Sequence, residues 1–104
     1  FQRYMDGRKD KLAGADLSYL DLSRLNLRDA DMREVNLRRS DLSHSDLRAA
    51  NLEGANLART ILYETDLRDA RLSGAQVTPA QLSQVKSLKG ATMPDGTRWR
   101  PGYV

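Results

Sequence analysis

An aliphatic residue or Met stands at every fifth position of this chain, from Leu12 to Leu82, fifteen times in succession without an insertion. Only Met32 and Val77 among these centres are not Leu. A five-residue period suits neither regular element. On an α-helix, successive centres would step by about 140°, so no apolar stripe forms. On a continuous strand, five is odd, so successive centres would face opposite sides. The chain keeps every centre inside only by bending once per unit. Four bends close a square coil of roughly 20 residues, and stacked coils pair through parallel bridges at ~4.8 Å.

The rest of the unit fits that geometry. The residue before the centre is Asp or Asn in ten of the fifteen units, Asp16, Asn26 and Asp66 among them. Its side chain can accept from nearby backbone N–H groups and hold the bend. Two residues before the centre the side chain is mostly small, as in Ala15, Ala30, Ala50 and Ala75, because it also points into a narrow square. Ser40, Ser45, Thr60 and Thr65 share that inward position, and their hydroxyls are expected to bond backbone carbonyls. The last two residues face outward and vary freely.

The runs Ala15-Asp16-Leu17-Ser18, Ala50-Asn51-Leu52-Glu53-Gly54 and Ala55-Asn56-Leu57-Ala58 carry a resemblance to the pentapeptide-repeat family and its A(D/N)LXX motif. The resemblance spans about residues 10 to 83. It implies an all-β solenoid: a right-handed quadrilateral parallel β-helix of about four coils, a bacterial-type scaffold with a short N-terminal cap and a C-terminal α-helix cap. The periodicity by itself requires only one bend per unit.

Three segments follow: an N-terminal cap over 1–10, the repeat over 11–77, and a helix and tail cap over 78–104. Caps are needed because an open solenoid exposes unpaired backbone and apolar cross-section at each end. Phe1, Tyr4 and Met5 lie on one face at helical spacing, with Gly7 ending that turn. Thr78-Pro79-Ala80-Gln81 reads as a capping box with Pro at the first helical position. Leu82, Val85 and Leu88 would give that helix one apolar side, and Gly90 suits its end. Trp99 and Tyr103 are expected to pack back on the cap.

The sequence offers no catalytic set, and the chain reads as a non-catalytic module without cofactor or metal. It has no Cys, and His44, the one His, falls at an outward position, so no zinc-type ligand set can be assembled. The Ser and Thr residues have no base beside them. Glycines occur singly, without a phosphate-cradling loop. No apolar run approaches the ~18 residues of a membrane span. The absence of Cys fits a cytoplasmic setting. Phe1 in place of an initiating Met fits a processed form or a domain of a larger protein.

Net charge is +3, which raises a nucleic-acid reading. Stacking residues 20 apart locates the charge. One side carries Arg38, Arg39 and Arg59 beside Tyr19; another carries an Arg28–Arg48–Arg68 ladder interleaved with Asp46 and Asp66. The repeat is close to neutral overall, and Lys86, Lys89, Arg98 and Arg100 make the tail basic. Ile61 replaces the usual Asp or Asn, and Tyr63 follows two residues later. Tyr19, Arg38, Arg39, Arg59, Ile61 and Tyr63 are therefore the candidate interaction residues. A protein partner is the favoured reading, with monomer and dimer both open. The alternatives are a weak nucleic-acid binder through the arginines, or a mimic of DNA directed at a type II topoisomerase. The resemblance implies the latter for some members, which have strongly acidic sides.

Overall fold

Parallel β-bridges join residues one coil apart in a computed structural model that describes residues 1–103. Asp16, Asn36, Asn56 and Gln76 form one column, and Asp21, Asp41 and Ile61 the next. Asn26, Asp46 and Asp66 make the third, and Asp31, Asn51 and Arg71 the fourth. Each side contributes a single bridging residue per coil. The Asn36 N–H donates to Ala15 O, and the Leu17 N–H donates to Asn36 O. Every unit then bends. The Ser40 N–H closes on Leu37 O, and the same closure recurs along the repeat.

The residue two after each centre from Leu12 to Leu72 has positive φ, between 56° and 60° at ten non-Gly positions from Tyr19 to Asp69. A positive φ confined to the third residue of a closed turn identifies type II. None of these ten residues is β-branched, the side-chain type for which that conformation is least tolerable. All ten Asp and Asn side chains accept from the N–H two residues on, as Asp16 does from Ser18 at 3.1 Å and Asn56 from Ala58 at 2.9 Å. Sequence therefore sets both halves of the bend.

Inside, the centres from Leu22 to Leu52 are fully buried, joined by Ala30, Val35, Ala50 and Ala55 from the position two before. The buried hydroxyls bond as expected: Ser45 to Leu22 O, Thr60 to Leu37 O and Thr65 to Leu42 O, each reaching the coil before. No buried side-chain polar atom lacks a partner among the described residues, so the hydroxyls cost the core little.

The ends differ from the sequence expectation in two ways. Helix α1 (Gln2–Met5) buries only Met5, while Phe1 and Tyr4 are more than half exposed. One turn of helix can press only a narrow stripe on the coil, and Met5 takes it. Arg8 instead lies over the Tyr4 ring, 4.1 Å from its centroid. The cap works through Gln2, whose carboxamide accepts from Asn26 N–H and donates to Asn26 O, standing in for an absent coil.

Helix α2 (Pro79–Leu82) has the capping box of Thr78 and Gln81, but it stops at Leu82. The repeat then resumes one residue out of frame. Ser87 bridges Asp66 and Thr92 bridges Arg71, so Leu88 and Met93 become inward centres and Gly90 a bend at φ 79°. Leu82, Val85 and Leu88 are therefore not one helical face. The coil beneath offers Thr65 O to the Lys86 N–H and takes Ser87 O for the Leu67 N–H, and that pairing prevails over helix extension. Beyond it Thr92 and Arg98 bridge antiparallel, and Trp99 and Tyr103 pack against the core. The molecule measures 36 × 20 × 19 Å.

Candidate interaction surface

Two sides of the coil use arginine in opposite ways. On one, Arg48 is bidentate to Asp46, with Nε and Nη2 at 2.9 and 2.7 Å, and reaches Asp66 of the next coil at 3.7 Å. Arg68 grips Asp66 in the same manner, and Arg28 lies 3.9 Å from Asp46. The hydrogen bonds from Arg48 hold the Asp46 carboxyl below its ordinary value, and those from Arg68 do the same for Asp66. This ladder is largely closed on itself. Its pairs are partly exposed, so each adds a fraction of ~1 kcal/mol.

Around the Asp21–Asp41–Ile61 column the arrangement is open. Arg39 and Arg59 stand at consecutive bends above Tyr19, one coil apart, with φ of 59°, 57° and 60°. None of Arg38, Arg39 and Arg59 has a carboxylate within 4.0 Å among the described residues. Ile61 occupies the middle of the same side, 51% exposed, and Tyr63 the far bend, also 51%. Tyr19 is 66% exposed. The alternation Arg59–Ile61–Tyr63 along one coil, over Arg39–Asp41–Ser43 along the coil before, puts Tyr19, Arg39, Arg59, Ile61 and Tyr63 around one face. Arg38 flanks it on the adjoining side.

The sequence sets His44 and Glu64 near Tyr63 but did not show that the His44 and Tyr63 rings meet edge-on, at 5.6 Å and 83°. Nor did it place Lys86 with them. A groove of about 290 Å³ beside His44 is lined by Glu64, Asp66, Arg68 and Lys86 among others. The 20-residue stacking rule signals the His44–Glu64 neighbourhood; the frame shift at α2 hides Lys86. Among the described residues, no group of three His, Asp or Glu side chains could hold a metal ion. No helix is long and apolar enough to cross a membrane.

Stacked parallel bridges around a period-five aliphatic core define the class as a β-solenoid repeat protein. A family model described as pentapeptide repeats matches residues 11–48 and 50–86, in eight copies. The chain belongs to the pentapeptide-repeat family. Among solved structures, a pentapeptide repeat protein from the Arabidopsis thaliana thylakoid lumen aligns over 89% of this chain and 66% of its own, at 25% identity and TM-score 0.58. A pentapeptide repeat protein from Nostoc PCC 7120 aligns over 88% and 69%, at 31% identity and TM-score 0.53. QnrB1, a plasmid-mediated fluoroquinolone resistance protein, aligns over 75% and 36%, at 15% identity and TM-score 0.66, a likeness of fold alone. Comparison with curated proteins returns no match.

Proposed function

We propose that this chain is a non-catalytic protein-interaction module, a right-handed solenoid of about four coils over 11–77 with caps over 1–10 and 78–104. The observation that carries the reading is the face around Ile61. It combines two half-exposed apolar side chains with unpaired arginines on a core filled by Leu. Interface centres favour aromatic and Arg residues, and Tyr63, Tyr19, Arg39 and Arg59 supply them around one exposed Ile. The rigid stack holds their backbone in register, so binding carries side-chain but little backbone ordering cost.

Affinity capture with mass spectrometry tests this, run in parallel on the wild-type chain, Ile61→Asn, Tyr63→Ala and Arg39→Glu/Arg59→Glu. A partner retained by wild type and lost from all three variants supports the face. An unchanged set of partners across the four refutes it.

The unpaired arginines favour one second reading, a weak nucleic-acid contact. Phosphates want such cations, and binding would fall steeply with salt. Arg39→Glu/Arg59→Glu would then abolish retardation of DNA or RNA, whereas Ile61→Asn would not. The topoisomerase-directed DNA mimic finds less support, because the Asp46–Asp66 ladder is neutralised by Arg28, Arg48 and Arg68. Supercoiling inhibition at low protein excess would revive it.

A further inference from the structure

The tail cap holds a second feature, on the far end of the coil from α1. A groove of about 360 Å³ is lined by Arg68, Asp69, Lys89, Gly90, Arg98 and Trp99. That volume lies at the low end of the range for small-molecule sites. Three aspects of the lining point to one kind of occupant.

The first is unspent positive charge. Arg68 is engaged by Asp66, but neither Lys89 nor Arg98 has a carboxylate within 4.0 Å among the described residues. The second is an aromatic wall. The Trp99 N–H donates to Ala91 O at 2.8 Å, which pins the backbone, and its ring is only partly buried against the core. Among the described residues no cation stacks on that ring. The third is the floor. Gly90 sits at φ 79° directly under Asp69, where an added Cβ would collide with the Asp69 carboxylate. That carboxylate accepts no side-chain or backbone hydrogen bond among the described residues.

We propose that this groove binds a phosphate-bearing planar ring, in chemical terms a nucleotide. The base stacks on Trp99, the phosphate meets Lys89 and Arg98, and Asp69 accepts from a sugar hydroxyl or a base amino group. Asp69 also repels a phosphate from the floor, which orients the ligand with its anion toward the rim. The groove is too small for a helix or a folded partner. The ligand source is either a free nucleotide or the phosphorylated end of a nucleic-acid strand.

Trp99 is the only Trp in the chain, so its fluorescence reports on this groove alone. The full chain is titrated with adenosine monophosphate, adenosine, inorganic phosphate and a 5′-phosphorylated oligonucleotide, with indole excited at its red edge. Saturable quenching by the monophosphate is expected, with adenosine and inorganic phosphate each binding more weakly. Lys89→Ala/Arg98→Ala, two exposed positions outside the core, should weaken it by about tenfold or more. The oligonucleotide binding more tightly than the monophosphate assigns the groove to a strand end; equal or weaker binding assigns it to the free nucleotide, and both support the site. The proposal is overturned by no saturable quenching at millimolar monophosphate, by an unchanged response in the double variant, or by inorganic phosphate binding as well as the nucleotide.

Discussion

Replacing Ile61 by Asn separates the cost of the fold from the gain of the face. Elsewhere in the repeat an Asp or Asn at this position accepts the N–H two residues on, as Asp41 does from Ser43 at 2.8 Å. Ile61 cannot, and the Tyr63 N–H donates to nothing among the described residues. Restoring that bond should contribute about 0.5–1.5 kcal/mol. Against it stands the lost burial of a side chain that is 51% exposed, roughly half of the 1.5–3 kcal/mol for a fully buried aliphatic, so about 1 kcal/mol. The two nearly cancel. Ile61→Asn is therefore expected to stay within about 0.5 kcal/mol of wild type, while Ile61→Ala, which loses burial and gains no bond, falls by about 1 kcal/mol. Urea unfolding followed by circular dichroism reads both, with an unchanged m-value as the condition for comparison. Asn no more stable than Ala would refute the turn-bond reasoning. A loss above about 2 kcal/mol for Asn would show that Ile61 belongs to the core rather than to a face.

Leu47→Ala removes a fully buried centre in the middle of the stack and should cost about 3 kcal/mol, within the 2–5 seen for such truncations, by the same unfolding assay. Ala49 holds φ 60°, so Ala49→Val should cost about 1–2 kcal/mol and Ala49→Gly almost nothing, a contrast that thermal melts can resolve. Asp95 is pushed down to about 2 by the Thr97 hydroxyl and N–H and then by the Tyr103 hydroxyl. Because its folded value lies below its unfolded one, the stabilisation is complete above about pH 4 and drains away as pH falls toward 2. Tyr103→Phe should move the Asp95 midpoint upward in a carboxyl NMR titration.

The sequence revealed the repeat because the repeat is a local rule applied fifteen times. Each Leu centre, each Asp or Asn acceptor and each non-branched residue at a bend states the same geometry independently. Helix α2 was readable at its start for a similar reason: Thr78, Pro79 and Gln81 settle it within four residues. Its end was not, since Leu82, Val85 and Leu88 satisfy helical spacing as well as a shifted frame. What decides between them is the coil beneath, through Asp66 and Arg71, and that is tertiary information. Phe1 and Tyr4 misled for the opposite reason. Their spacing is helical, but a four-residue helix has room on the coil for Met5 alone. The column of Tyr19, Arg39 and Arg59 followed from stacking by 20, whereas the edge-on contact of His44 with Tyr63 depends on rotamers.

Why Arg38, beside the Ile61 face, is free can be traced to one residue. An Arg just after a centre pairs with an Asp just before it: Arg33 with Asp31, Arg48 with Asp46, Arg68 with Asp66. Arg38 has the same offset from residue 36, but that residue is Asn. Asn36 still accepts the Arg38 N–H at 3.0 Å, so the bend is served equally well by either side chain. The bend therefore gives no reason for Asn over Asp; the charge does. Asn36 leaves Arg38 without a carboxylate at that offset, whereas Arg39 and Arg59 stand one residue further on, at bends, where Arg24 is unpaired even beside Asp21 among the described residues. Asn36→Asp should then draw Arg38 into a bidentate pair, change stability by no more than ~1 kcal/mol, and weaken any salt-sensitive partner of this face. Calorimetric titration of that partner at two salt concentrations reads the effect. A partner that binds Asn36→Asp as tightly as wild type, with the same salt dependence, makes no use of the Arg38 charge, and Arg38 would have to be dropped from the interaction face.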